Sequence, residues 1–311
     1  MTRRRWALLA AIPMLLAAGL WAAQRVDPKA ASDFLIGLER HRAGLTEKRL
    51  HVDGYEVAYL DSGEREGAQT LVLIHGLGAD KDHFTRVSSH FLGRYRVISL
   101  DLPGFGDSTR LPLPWDIPSQ AERVKKILTA LGLTRFHLGG SSMGGFIAMT
   151  YAAAHPDEVL SLWLLAPSGV GGAKQSQMFA MAEATGRSPL FARRVEDLDD
   201  VTALVFAKPP WLPWSVKHTR AEQMVRDEPL HQQIFEVVRS ATPINAVAPQ
   251  IKARTLIVWG AEDRVLDVSG GQALVKLLPH ARLEVMPGLG HLPMLEDPRA
   301  CADSYLEFLG E

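Results

Sequence analysis

The chain has 311 residues, enough for one large α/β domain or two smaller ones, and its hydrophobic fraction of 47% is that of an ordinary globular core. A formal net charge of −1 leaves no basic excess, which argues against nucleic acid as a partner. Cys301 is the only cysteine, so an internal disulfide and a cysteine-cluster metal site are both excluded.

Residues 1–5 form a basic flank, with Arg3, Arg4 and Arg5 preceding an uncharged stretch over residues 6–23. As a helix this stretch is roughly 27 Å long at 1.5 Å per residue, close to the thickness of a bilayer core. The favoured expectation is a single-pass anchor in the inner membrane, with the arginines kept inside and the rest of the chain on the extracytoplasmic side. The alternatives are a cleaved signal peptide, a twin-arginine export signal and a buried helix. Trp21 is large for a cleavage site, although Ala22-Ala23 keeps cleavage open. Ala18 and Ala22 would permit close helix–helix approach, and hence a homodimer, without requiring it.

Residues 24–49 read as a helix or linker. Phe34, Leu35 and Leu38 recur at helical spacing among mixed charges, which fits either an amphipathic helix on the bilayer or a solvated linker. Residues 50–167 alternate strands and helices. Tyr55–Tyr59 alternates like a strand, while Leu71–Ile74, Arg96–Leu100 and Leu160–Ala166 are continuous apolar runs typical of parallel strands buried on both faces. A helical pattern spans Gln120–Leu131. The fold class is therefore α/β, with a mostly parallel sheet covered on both faces.

The rhythm breaks over residues 168–249, a span too long for a plain loop. It reads as an inserted helical cap, with helices near Met178–Ala184, Pro189–Arg194, Asp197–Phe206 and Thr219–Arg239. The sheet rhythm returns over residues 250–311, with strands at Thr255–Trp259 and Arg282–Met286, helical residues 271–278 and a closing helix over Pro298–Leu309.

The chemistry is carried by Gly140-Ser141-Ser142-Met143-Gly144, which fits the Gly-x-Ser-x-Gly nucleophile elbow between a strand and a helix. Ser142 holds the nucleophile position; Ser141 falls on a variable one. A serine needs a base, and the base an orienting carboxylate, in the chain order Ser, acid, His on such a sheet. Asp263, after the Thr255–Trp259 strand, and His291, in Gly288-Leu289-Gly290-His291, meet that order at the carboxyl ends of strands. Glu262 and Asp267 are rivals for the acid. The backbone N–H groups of Leu77 and Met143 are the expected oxyanion donors. His75 is expected to hold the Leu77 loop by hydrogen bonding, and with Gly76 it lies at the substrate end of the cleft. Trp211, Leu212 and Trp214 could line an acyl tunnel, rest at the headgroup level, or pack within the cap. The chemistry needs no metal or organic cofactor.

His75-Gly76, Asp101-x-Pro-Gly-x-Gly-x-Ser108, Gly-x-Ser142-Met-Gly-Gly, Trp-Gly-x-x-Asp263 and Gly-His291 stand in one order over roughly Leu50 to the C-terminus. In this the chain resembles the α/β-hydrolase superfamily. His75-Gly76-x-x-Ala79-x-Lys81-Asp82 and the stretch Asp263–Gly270 are similar to the membrane-bound monoacylglycerol lipases and their bacterial relatives, among them an inner-membrane phospholipase A with one N-terminal anchor. The resemblance implies hydrolysis of a lipid ester, with phospholipase A or lysophospholipase chemistry favoured. Monoacylglycerol lipase, short-chain esterase and carbon–carbon bond hydrolase are alternatives, as is a catalytically silent lipid-binding protein on the same fold.

Overall fold

The computed structural model describes Gly19, residues 24–110 and residues 115–310. The expected anchor over residues 6–23, apart from Gly19, thus lies outside the described residues, and so do Ala18 and Ala22. Among the described residues no helix is long and apolar enough to cross a membrane.

The elements run α1 (Pro28–Arg42), β1 (Thr46–Val52), β2 (Tyr55–Asp61), β3 (Gln69–Ile74), a 3₁₀ turn (Lys81–Phe84), α2 (Thr85–Ser88), β4 (Tyr95–Leu100), α3 (Ile117–Ala130), β5 (Phe136–Ser141), α4 (Met143–Ala154) and β6 (Val159–Leu165). Then come α5 (Gln177–Thr185), α6 (Leu198–Val205), α7 (Trp214–Ser240), β7 (Arg254–Gly260), α8 (Ser269–Leu277), β8 (Ala281–Met286), α9 (Pro293–Glu296) and α10 (Pro298–Gly310). The eight strands form one sheet in the order β1-β2-β4-β3-β5-β6-β7-β8. β2 is antiparallel to both β1 and β4, and the other pairings are parallel.

The continuous apolar runs exist because the sheet is buried on both faces. Alternate residues of a strand point to opposite sides. Val72 and Ile74 of β3, Leu162 and Leu164 of β6, and Ile257 and Trp259 of β7 enter one core with α3 and α4. Leu71 and Leu73, Trp163 and Leu165, and Leu256 and Val258 enter the other, with α2 and α10. Cys301 is fully buried in that second core. Strand order reverses around β3, with β4 on one side and β5 on the other, so the crevice at the carboxyl ends of β3 and β5 is where a ligand site is expected.

The structure departs from the sequence reading in places. β1 was absent from it, because only Leu50 and Val52 of Thr46–Val52 are apolar and the strand is a charged edge. Residues 189–194 are not helical. Their backbone donors go to side chains instead: Leu190 N–H to Ser188 Oγ (3.3 Å), and Arg193 and Arg194 N–H to Asp197 Oδ2 (3.0 Å each). Within the expected helix or linker over residues 24–49, α1 leaves its apolar spacing outside the core. Phe34 is 66% exposed and Ser32 is the buried residue. The helix lies against α7 and is held to the core by Arg40–Asp82 (2.6 Å) and Arg86–Glu39 (2.6 Å).

Candidate active site

Ser142 is the hinge between β5 and α4. Its φ of 53° and ψ of −118° are strained for a residue with a side chain. The flanking glycines make the turn possible. A Cβ at Gly140 would fall 2.3 Å from Gly144 O, and one at Gly144 would fall 2.1 Å from Ile74 O. The strained backbone is held by hydrogen bonds from Ser142 N–H to Leu165 O (3.0 Å) and from Ser168 N–H to Ser142 O (3.0 Å). Met143 is the first residue of α4, so its N–H has no partner within the helix.

The acid and the histidine meet directly. His291 Nδ1 lies 2.8 Å from Asp263 Oδ2, with both side chains buried. The carboxylate can only accept, so Nδ1 carries the proton. Asp263 Oδ1 accepts from the N–H groups of Val265 (2.8 Å) and Leu266 (3.0 Å), which fixes the carboxylate plane. The two loops approach closely at their backbones, as a Cβ on Gly260 would come 2.0 Å from Gly290 O. Of the rival acids, Asp267 accepts from Ser269 N–H (2.9 Å) and Glu262 is exposed.

The loop after β3 lies against Ser142. A Cβ on Gly76 would sit 3.1 Å from Ser142 Cβ. His75 is fully buried; its Nε2 accepts from Leu102 N–H (3.1 Å), so Nδ1 donates to Gly76 O (2.7 Å). Burial pushes its pKa down to about 4, opposed by the bond to Gly76, so the ring is neutral. His137, by contrast, is bound to Ser161 Oγ (2.8 Å) and Gln69 Oε1 (2.9 Å) beneath the sheet.

Beside these loops lies an apolar cluster of Met178, Ala182, Phe191, Leu204, Phe235 and Val265, against which Leu77 and Leu266 pack. Trp211 and Trp214 lie elsewhere. With Gln24, Arg25 and Pro213 they line a pocket at the start of α7, where Arg25 sits 4.0 Å over the Trp214 ring and Trp211 is 81% exposed. Leu212 is half-buried beside them.

The sequence reading did not include Glu296, and it gave the Asp101–Ser108 motif no structural role. Glu296 accepts from Gly290 N–H (2.8 Å), Ala207 N–H (3.0 Å) and Lys208 N–H (2.7 Å), tying the His291 loop to the chain after α6. Burial raises its pKa against those bonds. Asp101 receives Lys81 Nζ (2.8 Å), Lys81 N–H (2.6 Å) and Asp107 N–H (2.8 Å), while Ser108 Oγ donates to Asp101 O (2.8 Å). The Asp101–Ser108 motif is thus a brace under the Leu77 loop. Sequence alone signals such bonds only by a charged residue inside an apolar context. Among the described residues, no group of three or more His, Cys, Asp or Glu side chains is gathered to hold a metal ion.

A mostly parallel sheet, a strained serine elbow and an Asp–His pair at its carboxyl edge define a fold class, and residues 69–298 match that family: the chain belongs to the alpha/beta hydrolase fold family. Within it the chain is lipase-like. It is 36% identical over 282 residues to Lipase 1 of Psychrobacter immobilis, covering 88% of this chain and 87% of the relative. It is 27% identical to human monoacylglycerol lipase ABHD6, covering 87% and 84%. The solved structure of a membrane phospholipase A, described as a bacterial virulence factor, superposes with a TM-score of 0.88 at 40% identity, covering 99% of this chain and 98% of that one.

Proposed function

We propose that the chain is a serine carboxylic-ester hydrolase acting on membrane lipids, releasing fatty acids from glycerophospholipids or lysophospholipids. The observation that carries this reading is the buried His291–Asp263 bond of 2.8 Å in a chain whose elbow presents Ser142 on strained backbone. Ser142 Oγ attacks the ester carbonyl carbon while His291 Nε2 takes its proton, and Asp263 stabilises the imidazolium that results. The oxyanion is held by the N–H groups of Leu77 and Met143, with the N-terminal end of α4 adding its positive dipole. Collapse breaks the ester bond, and His291 returns the proton to the leaving alcohol. Water, activated by the same histidine, then attacks the acyl-serine and releases the fatty acid.

The lipid preference draws on the cap's apolar cluster at Leu77 and on the relatives named as lipases and as a membrane phospholipase A. An inner-membrane location with the hydrolase on the extracytoplasmic side follows from residues 6–23. It is supported by exposed Trp211 beside Gln24 and Arg25, where that stretch joins the fold, since tryptophan favours the headgroup level. Monoacylglycerols are the second reading, favoured by the likeness to ABHD6.

The test is fatty-acid release by the purified full chain from diacyl phospholipids, lysophospholipids, monoacylglycerols and short p-nitrophenyl esters, with Ser142→Ala as control. Phospholipid or lysophospholipid hydrolysis that disappears in the variant is expected. Undiminished hydrolysis by Ser142→Ala would sink the mechanism, and activity on short esters alone would sink the lipid assignment.

A further inference from the structure

Three consecutive charged residues tie the Leu77 loop to three separate parts of the molecule. Lys81 points inward, to Asp101 (2.8 Å) and Asp107 (2.5 Å), and is almost fully buried. Asp82 points to α1, where Arg40 grips it through Nε (2.6 Å) and Nη2 (2.7 Å). Asp80 points to the cap, where Arg220 of α7 donates to its Oδ2 through Nη1 and to its Oδ1 through Nη2 (3.4 Å). Arg220 also lies 3.6 Å from Asp82 Oδ2.

Asp80 shapes the turn that follows Leu77. Its Oδ1 accepts from Asp82 N–H (3.0 Å) and its main-chain oxygen accepts from His83 N–H (3.1 Å). Just upstream, Ala79 N–H closes on Gly76 O (3.3 Å). A carboxylate this buried needs its cation, and removing the cation leaves a charge that drags its loop toward water. Leu77 is only three residues away. A donor displaced by a fraction of an ångström loses its value to a developing oxyanion while still allowing substrate to bind.

We propose that Arg220 is a positioning residue, holding the Leu77 N–H in place through Asp80, so that seating of the cap helix and completion of the oxyanion site are one event. This rests on the assignment of Leu77 as an oxyanion donor in the proposed hydrolase.

The test is steady-state hydrolysis of p-nitrophenyl butyrate by the full chain, with melting temperature measured in parallel. Arg220→Ala and Asp80→Asn should each lower kcat on the order of 10–100-fold while KM moves less than about threefold, since only transition-state stabilisation is lost. The double variant should be no worse than Arg220→Ala alone, because Arg220→Ala already removes the contact that Asp80→Asn weakens. Arg220→Lys should recover most of kcat. Arg187→Ala removes an ion pair within the cap, Arg187–Glu228 (2.6 Å), and should leave kcat unchanged. Should Arg220→Ala fail to fold, the near-isosteric Asp80→Asn carries the test. Unchanged kcat in Arg220→Ala and Asp80→Asn, multiplying losses in the double variant, or an equal loss in Arg187→Ala would overturn the inference while leaving the serine mechanism intact. Persistent activity in Ser142→Ala would instead overturn the hydrolase reading and this inference with it.

Discussion

At the scale of single residues, the site works by denying side chains any choice. His291 has its Nδ1 committed to Asp263, and Asp263 has its second oxygen committed to two backbone donors. In the proposed mechanism the remaining imidazole nitrogen is the one that takes the proton from Ser142. Asp263→Asn keeps the size and the oxygen facing Val265 and Leu266 but turns an amide NH₂ toward Nδ1. That selects the wrong imidazole tautomer. The expected result is a fall in kcat of about 10³–10⁴-fold on p-nitrophenyl butyrate, with a melting temperature close to the parent's. A kcat near that of the parent would remove Asp263 from its role.

At the scale of elements, what could be read from the sequence depended on how much of an element's pattern is local. β3, β6 and β7 were legible because burial on both faces leaves uninterrupted apolar runs. The elbow was legible because close backbone approach at Gly140 and Gly144 restricts residue type. β1 was missed although its turn was in view: Asp53 and Gly54, with φ of 54° and 83°, form the Asp-Gly hairpin turn that joins it to β2. Arg220–Asp80 and the bonds of Glu296 to Ala207 and Lys208 were invisible because the partners are distant in the chain, and a lone charge in a helix usually means a solvated face. The position of Trp211 and Trp214 was likewise set by tertiary packing, since nothing in their spacing tells a tunnel wall from a rim beside Arg25. The hairpin supplies a stability test. In Gly54→Ala the added Cβ meets no neighbour, so its cost is the positive φ alone, about 1–2 kcal/mol. Urea unfolding should show that loss with kcat unaltered, and no loss would mean the turn is not of this type.

At the scale of the whole molecule, burial holds His75, His137 and His231 neutral. It takes the pKa of each down to about 4. His231 stacks 4.9 Å from Phe105 with neither ring nitrogen hydrogen-bonded. In the unfolded chain each would take up a proton below about 6.5. Between that value and 4 the unfolded state holds more protons, so unfolding free energy rises with pH and is lost as pH falls. Each histidine contributes a slope of about 1.4 kcal/mol per pH unit at most. Urea midpoints should therefore drop between pH 7 and pH 5, and His231→Phe should drop less while keeping the stack on Phe105. An equal drop would remove His231 from the account.

The way α1 is attached has a practical meaning for where the independently folding unit starts. Gln24 accepts from Ser215 N–H (3.3 Å) and Oγ (3.2 Å), and Arg40 grips Asp82 in the loop that follows Leu77. The helix thus joins α7 to the loop after β3, and the folded unit begins ahead of the first strand at Thr46. A chain shortened to omit the uncharged residues 6–23 should be cut ahead of Gln24. Cutting at Thr46 would leave Asp82 without Arg40 and α7 without its neighbour, loosening the site from a distance of one helix.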